Sequence, residues 1–285
     1  MAHKFTVELN GQEEWSWLLA IDLFLGGLGG GLFILVQLFG LGPVPSLIAL
    51  GLVLLGAVVL LIELGHPLRA WRALLRPTSS WISRGVIFVT LFLVFGALYT
   101  APQFNFFSWL PWSADTVAGQ TIGAIAGIAA FFVTLYPGFV LSASPSIPFW
   151  NSPLLPVLFL SQSLMGASSI IVLILPLVSA NQSVQQLDNL TAILIAANFI
   201  LIAMYLLVMN GSGLAAKEAV RRLSGGVLGW TFTAGVMLIG TVLPLLLVLC
   251  VPSARVLAGS LVLLGALLFR FCVLKAGVYV PFAIV

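Results

Sequence analysis

The sequence predicts an all-α integral membrane protein with about eight transmembrane helices. Three observations carry that prediction. Of 285 residues, 61% are hydrophobic and only 7% are charged, against about 25% charged in soluble domains, and the mean hydropathy is +1.20. The apolar runs are long enough to cross a bilayer, which takes roughly 20 residues each. The few basic residues fall almost wholly on one side of an eight-span arrangement. Eight spans with short loops use the whole length, so no separate soluble domain is expected.

The first sixteen residues carry Glu8, Glu13 and Glu14 and lack a basic segment joined to a short apolar core. No cleavable signal is therefore expected, and the first apolar run is read as a span. Trp15 and Trp17 mark the interface, where indoles settle. Span 1 is expected from Trp17 to Phe39, with Gly26, Gly27, Gly29, Gly30 and Gly31 inside it. Small residues four apart let a neighbouring helix come close in lipid. Span 2, from Pro45 to Glu63, is aliphatic. Span 3 is expected from Gly85 to Thr100, followed by an aromatic loop from Pro102 to Trp112. Span 4 runs from Val117 to Leu141 and contains Tyr136 and Pro137. A proline-rich, uncharged loop leads to span 5, Leu154 to Val178, with Ser161, Gln162 and Ser163 within it. Span 6 is Leu190 to Met209. A basic loop from Asn210 to Gly226 precedes span 7, Val227 to Val251. Span 8, Ala254 to Tyr279, carries Arg270 and Lys275 in its second half.

With eight spans, both termini and the loops after spans 2, 4 and 6 share a face. Lys4, Arg69, Arg72, Arg76, Arg84, Lys217, Arg221 and Arg222 lie there, and Arg255 falls on the other. The positive-inside rule would make the basic face cytoplasmic. Arg69, Arg72 and Arg76 recur at helical spacing between Glu63 and Trp81. That pattern suits either a surface helix at the interface or the docking of an acidic partner.

The composition also excludes. A net charge of +3 gives a nucleic-acid role no support. Cys250 and Cys272 lie far apart in apolar runs, so no iron–sulfur cluster is expected in this protein. His3 sits in a polar tail and leaves only His66, so neither a haem between two histidines nor any other metal site is expected.

Ionisable groups inside a span cost about 2.5–3.5 kcal/mol to insert and mark function by default. Asp22 lies about five residues into span 1, roughly 8 Å deep at 1.5 Å per residue. Tyr136 lies at similar depth near the end of span 4, which exits on the same face. Glu63 and His66 close span 2 on that face, three apart and so able to share a helix side. An acid, a phenol and an imidazole in an apolar pocket can hydrogen-bond a carbonyl and exchange protons with it. A lipid-soluble quinone requires both at its oxygens. Structural readings stand beside this one: Asp22 paired with an arginine, Glu63 closing the helix end, Tyr136 at the interface.

The run Trp15, Ser16, Trp17, then Asp22 to Gly31, resembles the first span of the NrfD-like family of membrane subunits typified by polysulfide reductase. Glu63-Leu64-Gly65-His66-Pro67-Leu68-Arg69, Arg76 to Trp81 and Ser83-Arg84-Gly85 resemble its second-to-third-span segment. Tyr136-Pro137-Gly138 and Ile147 to Pro156 resemble the end of its fourth span and the following loop. The resemblance implies two four-helix bundles, here residues 1–143 and 144–285. It implies a quinone site in the first, for menaquinone or ubiquinone, and no haem or iron–sulfur cluster held by this subunit. It implies an iron–sulfur partner subunit and beyond it a molybdopterin-type catalytic subunit, in a bacterial or archaeal cell membrane. Both termini would share the partner's side, which in well-known members is periplasmic, against the positive-inside reading.

On that resemblance Tyr136 matches a quinone-holding tyrosine, while Asp22 stands where the family's type member has a histidine and Leu19 where it has an asparagine. The expectation is a quinone-reactive anchor, not catalytic alone. Asp22, Tyr136 and Arg84 would bind the quinone, Glu63 and His66 would transfer protons, and Arg69, Arg72 and Arg76 would dock the partner. Coupled proton translocation, a proton or ion transporter without redox role, and a purely structural anchor stay open.

Overall fold

Hydrocarbon offers the backbone no hydrogen-bond partner, so apolar runs close their own bonds as helices. A computed structural model of the protein describes residues 9–15, 17–63, 77–78, 80–175 and 184–280. Among them, eight helices are long and apolar enough to cross a membrane. These are α1 (Trp17–Phe39), α2 (Pro43–Glu63), α3 (Trp81–Thr100), α4 (Val117–Ser142), α5 (Leu154–Ile174), α6 (Val184–Gly211), α8 (Gly226–Cys250) and α9 (Arg255–Lys275), with a short α7 (Leu214–Arg222) between α6 and α8. The middle of α8, Thr231–Val242, is π-helical.

The ends differ from the sequence reading for local reasons. Helix α3 begins a turn before Gly85, because the Ser80 side chain accepts from the Ser83 amide and caps it. Arg84 therefore sits in the first turn of α3. The basic loop after α6 holds α7, where Glu218 pairs with Arg221 at 2.8 Å. Helix α9 stops at Lys275 rather than Tyr279, because the backbone turns there to meet the N-terminal arm. The Gln12 amide donates to the Gly277 carbonyl at 2.9 Å, and Gln12 Nε2 donates to the Leu274 carbonyl at 2.8 Å. Residues beyond Leu175, where span 5 was expected to run on to Val178, lie outside the described residues.

Helices α1 to α4 pack as one ring, and α5, α6, α8 and α9 as a second. The rings join where α1 and α4 meet α5 and where α1 meets α9. At the basic end, Tyr279 donates its amide to Asn10, Val280 to Ser146, and the Trp150 indole to Val273 at 2.8 Å. The described parts of both termini and the loop after α4 thus meet at one end. At the other end Arg255 approaches Asp188 at 3.9 Å.

The glycines of α1 decide how closely the rings come together. A β-carbon on Gly31 would stand 2.6 Å from the Ser163 carbonyl oxygen of α5, and one on Gly30 would stand 2.9 Å from the Ala130 carbonyl oxygen of α4. Gly29 meets Ala49 and Val53 of α2 in the same way. Of the α1 glycines, only Gly26 has nothing described within 4 Å of the place its β-carbon would take. Gly31→Val should therefore cost about 1–3 kcal/mol or more through overpacking, and Gly26→Ala should stay within about 0.5 kcal/mol. Thermal unfolding of the two variants in detergent checks this; equal melting temperatures would contradict the packing.

Candidate functional site

Asp22 and Tyr136 come from helices that run in opposite directions through the first ring. The Asp22 side chain is buried, at 6% exposure, and lies against α2. A β-carbon on Gly56 would stand 3.2 Å from both its backbone oxygen and its carboxylate Oδ1. Gly56 therefore gives the carboxylate the room it occupies. Tyr136 is packed in turn on Gly85 of α3, where any side chain would strike the phenol ring. The two glycines thus seat the two polar groups from outside the pair.

Helical geometry places them together. At about 100° per residue, Gly26 lies about 40° round α1 from Asp22 and Gly30 about 80°. Gly29 and Asp22 face α2 and Gly30 faces α4, so Gly26 points between α2 and α4, into the ring. Gly30 meets Ala130 and Thr134 of α4. Since α1 and α4 are antiparallel, one turn towards the basic end sets Gly26 level with Tyr136. Asp22 is in electrostatic reach of both Tyr136 and Glu63. The place a Gly26 β-carbon would take, with no described atom within 4 Å, therefore lies beside the carboxylate and at the depth of the phenol.

Among the described residues, neither side chain has a hydrogen-bonding or ion-pair partner. Asp22 accepts no side-chain hydrogen bond from a described residue and forms no ion pair with one, and the Tyr136 hydroxyl makes no hydrogen bond to one. Asp22 is buried and Tyr136 half-buried, and with no partner among the described residues their oxygens can meet a ligand's polar atoms. The carboxylate can accept or carry a proton, and the phenol can donate a hydrogen bond.

The other sequence-designated residues divide. Glu63 ends α2 at the basic end, about seven residues from Gly56 and so roughly 10 Å along the helix. Arg84 donates from Nε to the Pro77 carbonyl at 2.8 Å and from Nη2 to the Thr78 carbonyl at 2.7 Å, with its guanidinium over the Trp81 ring at 4.4 Å. Trp81 stacks on Phe139, one turn from Tyr136, so Arg84 braces the entry to α3. His66, Arg69, Arg72 and Arg76 lie outside the described residues. The sequence reading singled out the glycine face of span 1, Gly26 included, but missed the seats at Gly56 and Gly85. Their signal was there: a glycine in each helix at the level of the polar pair.

Residues 7–282 match the family described as Polysulphide reductase, NrfD. Protein NrfD of Escherichia coli strain K12 is 28% identical, with 92% of this sequence and 94% of that protein covered. The C subunit of polysulfide reductase from Wolinella succinogenes is also 28% identical, over the same shares of the two proteins. The Protein NrfD homolog of Haemophilus influenzae is 25% identical, again over 92% and 94%. The eight apolar helices and a match over almost the whole length lead to one conclusion: this is a multi-pass membrane protein that belongs to the NrfD, polysulphide reductase, family.

Proposed function

We propose that the protein is the membrane subunit through which an oxidoreductase complex exchanges electrons with a lipid-soluble quinone, menaquinone or ubiquinone. The observation that carries this is the buried Asp22 carboxylate beside the open space at Gly26, level with Tyr136. A quinone suits that space: its ring is flat, its two carbonyls need polar partners, and its tail belongs in lipid. When bound, it supplies two-electron chemistry that takes up or releases two protons.

The protein's own residues then have distinct tasks. Tyr136 donates a hydrogen bond at one carbonyl. Asp22 carries a proton to or from the other. Glu63, nearer the basic end and in electrostatic reach of Asp22, passes that proton onward, and His66 shares this work. Apolar side chains around the ring keep bulk water away, so protons come and go through these groups. Arg84 shapes the loop by holding the carbonyls of Pro77 and Thr78. Arg69, Arg72 and Arg76 receive the partner.

Electrons reach the site from outside the subunit. The Wolinella succinogenes relative is by name one component of polysulfide reductase, which supports a multisubunit setting here too. In the reading proposed, an iron–sulfur subunit docks at the basic end and a molybdopterin-type subunit lies beyond it. The described parts of the two termini meet at that end, together with Arg84 and α7. A second reading, movement of protons or ions across the membrane with or without redox chemistry, draws on the buried polar residues Gln162, Asn198 and Arg270 of the second ring. The purified protein alone in liposomes would conduct protons or ions if that movement needs no redox chemistry, and stay inert under the first reading.

Three variants test the site in the assembled complex. Asp22→Asn keeps the shape and removes the exchangeable acid, and should lower quinone-linked turnover at least 100-fold, as loss of a general acid or base does, typically about 10²–10⁴-fold. Tyr136→Phe should weaken quinone binding by about tenfold, the loss of one hydrogen bond worth about 0.5–1.5 kcal/mol. Gly26→Leu should fill the notch and abolish quinone turnover while the melting temperature holds. Artificial-dye activity of the catalytic subunit serves as the reference in each. Full quinone turnover in Asp22→Asn and Gly26→Leu would remove this site from the mechanism.

A further inference from the structure

A buried guanidinium ties the second ring to the first. Arg270 of α9 is enclosed, at 0% exposure. It donates from Nε to the Leu23 carbonyl of α1 at 3.0 Å, from Nη2 to Ser163 Oγ of α5 at 3.2 Å, and from Nη1 to the Ala266 carbonyl of its own helix at 3.2 Å. Ser163 Oγ donates in turn to the Phe159 carbonyl at 2.7 Å. The rings of Phe159 on α5 and Phe24 on α1 flank the guanidinium, at 5.4 and 5.8 Å from their centres. One side chain thus joins α1, α5 and α9 at a single level.

The tie is made to the backbone beside Asp22. Within an α-helix the Leu23 carbonyl faces the amide of residue 27, and a carbonyl oxygen has a second lone pair for another donor. Glycine at 27 leaves room for that donor. A β-carbon there would stand 2.6 Å from Arg270 Nη2 and 2.5 Å from Ser163 Oγ, so a side chain would push the guanidinium off α1. On its other side α1 carries the Asp22 carboxylate, whose Oδ1 is 3.2 Å from the place of a Gly56 β-carbon on α2. Helix α1 is therefore held from two sides at the level of Asp22. Apolar packing sets how close two helices come, whereas a hydrogen bond from a charged donor is short and directional. A charge in a span is costly, so packing alone would favour an apolar residue at 270.

We propose that Arg270 is a positioning residue for the Asp22 site. Through the Leu23 carbonyl it fixes the rotation and depth at which α1 presents the carboxylate beside Gly56 and Tyr136. It acts through the α1 backbone and not on a ligand. Its effect on turnover rests on the quinone reading of the first ring; its effect on the position of Asp22 does not. A misplacement of about 1 Å from a change far from the chemistry can cost about 100-fold in rate, which sets the scale of the effect.

Arg270→Gln in the assembled complex tests this. Quinone-linked kcat should fall at least about tenfold, within the range that a misplaced group costs. The KM for quinone should stay within about twofold, because Tyr136 is seated on α3 and keeps its place. Artificial-dye activity is the reference for assembled complex. The infrared difference spectrum between wild type and Asp22→Asn marks the carboxyl band of Asp22, and that band should shift in Arg270→Gln. Gly27→Ala, which displaces the guanidinium from the α1 side, should reproduce both changes, and it decides where Arg270→Gln does not assemble. Full quinone turnover in Asp22→Asn would remove the quinone reading and leave the infrared band to decide the positioning. An unmoved band in an assembled variant would overturn the proposal, as would wild-type kcat beside an impaired Asp22→Asn.

Discussion

Close contact between α1 and its neighbours is the constraint on which everything else rests. In lipid there is little hydrophobic drive between helices, so association comes from tight packing and hydrogen bonds. Helix α1 meets α2, α4, α5 and α9, and glycine makes the approaches possible. Gly29 admits α2, Gly30 admits α4, and Gly27 and Gly31 admit Ser163 and Arg270 from the second ring. These contacts leave one sector of α1 uncrowded, at Gly26, and that sector opens into the first ring beside Asp22. The same packing that joins the two rings thus leaves, among the described residues, the room that the proposed site would use.

The placement of polar groups follows from that arrangement. A carboxylate or guanidinium facing lipid would be costly, about 2.5–3.5 kcal/mol at mid-membrane on insertion scales. The fold avoids this by turning Asp22 towards Gly56 and Arg270 towards Ser163 and the α1 backbone. Both lie about five residues from a helix end near the basic face, roughly 8 Å in. The apolar side chains that remain exposed, such as Leu54, Leu55, Val94 and Leu207, face the hydrocarbon that the rings are built to meet.

Much of this was legible in the residues. Hydropathy set the eight spans, and α1 runs from Trp17 to Phe39 as read. Counting spans put Asp22 and Tyr136 at one depth, and antiparallel geometry did the rest. What could not be read was local or distant in sequence. The cap at Ser80 moved the start of α3 because a single side-chain oxygen outweighs hydropathy at a helix end. The stop of α9 at Lys275 depends on Gln12, more than 260 residues away. The seat of Tyr136 on Gly85 and the bond from Arg270 to Leu23 are contacts between helices, and periodicity along one helix carries no trace of its neighbour's rotation.

One helix carries a polar group on each side. Asp22 faces the first ring, while at about 140° round the helix Gly27 opens to Ser163 and Arg270 in the second. The Arg270 guanidinium holds the carbonyl of Leu23, the residue next to Asp22. The rotation and depth of Asp22 are therefore fixed from the second ring, by a charge-assisted bond, stronger than a neutral one. A change that shifts α9 along α1 would move the carboxylate against Gly56 and Tyr136. The two rings are then not a working half and an inert support: the second sets the geometry of the first, and the price of that control is a buried guanidinium.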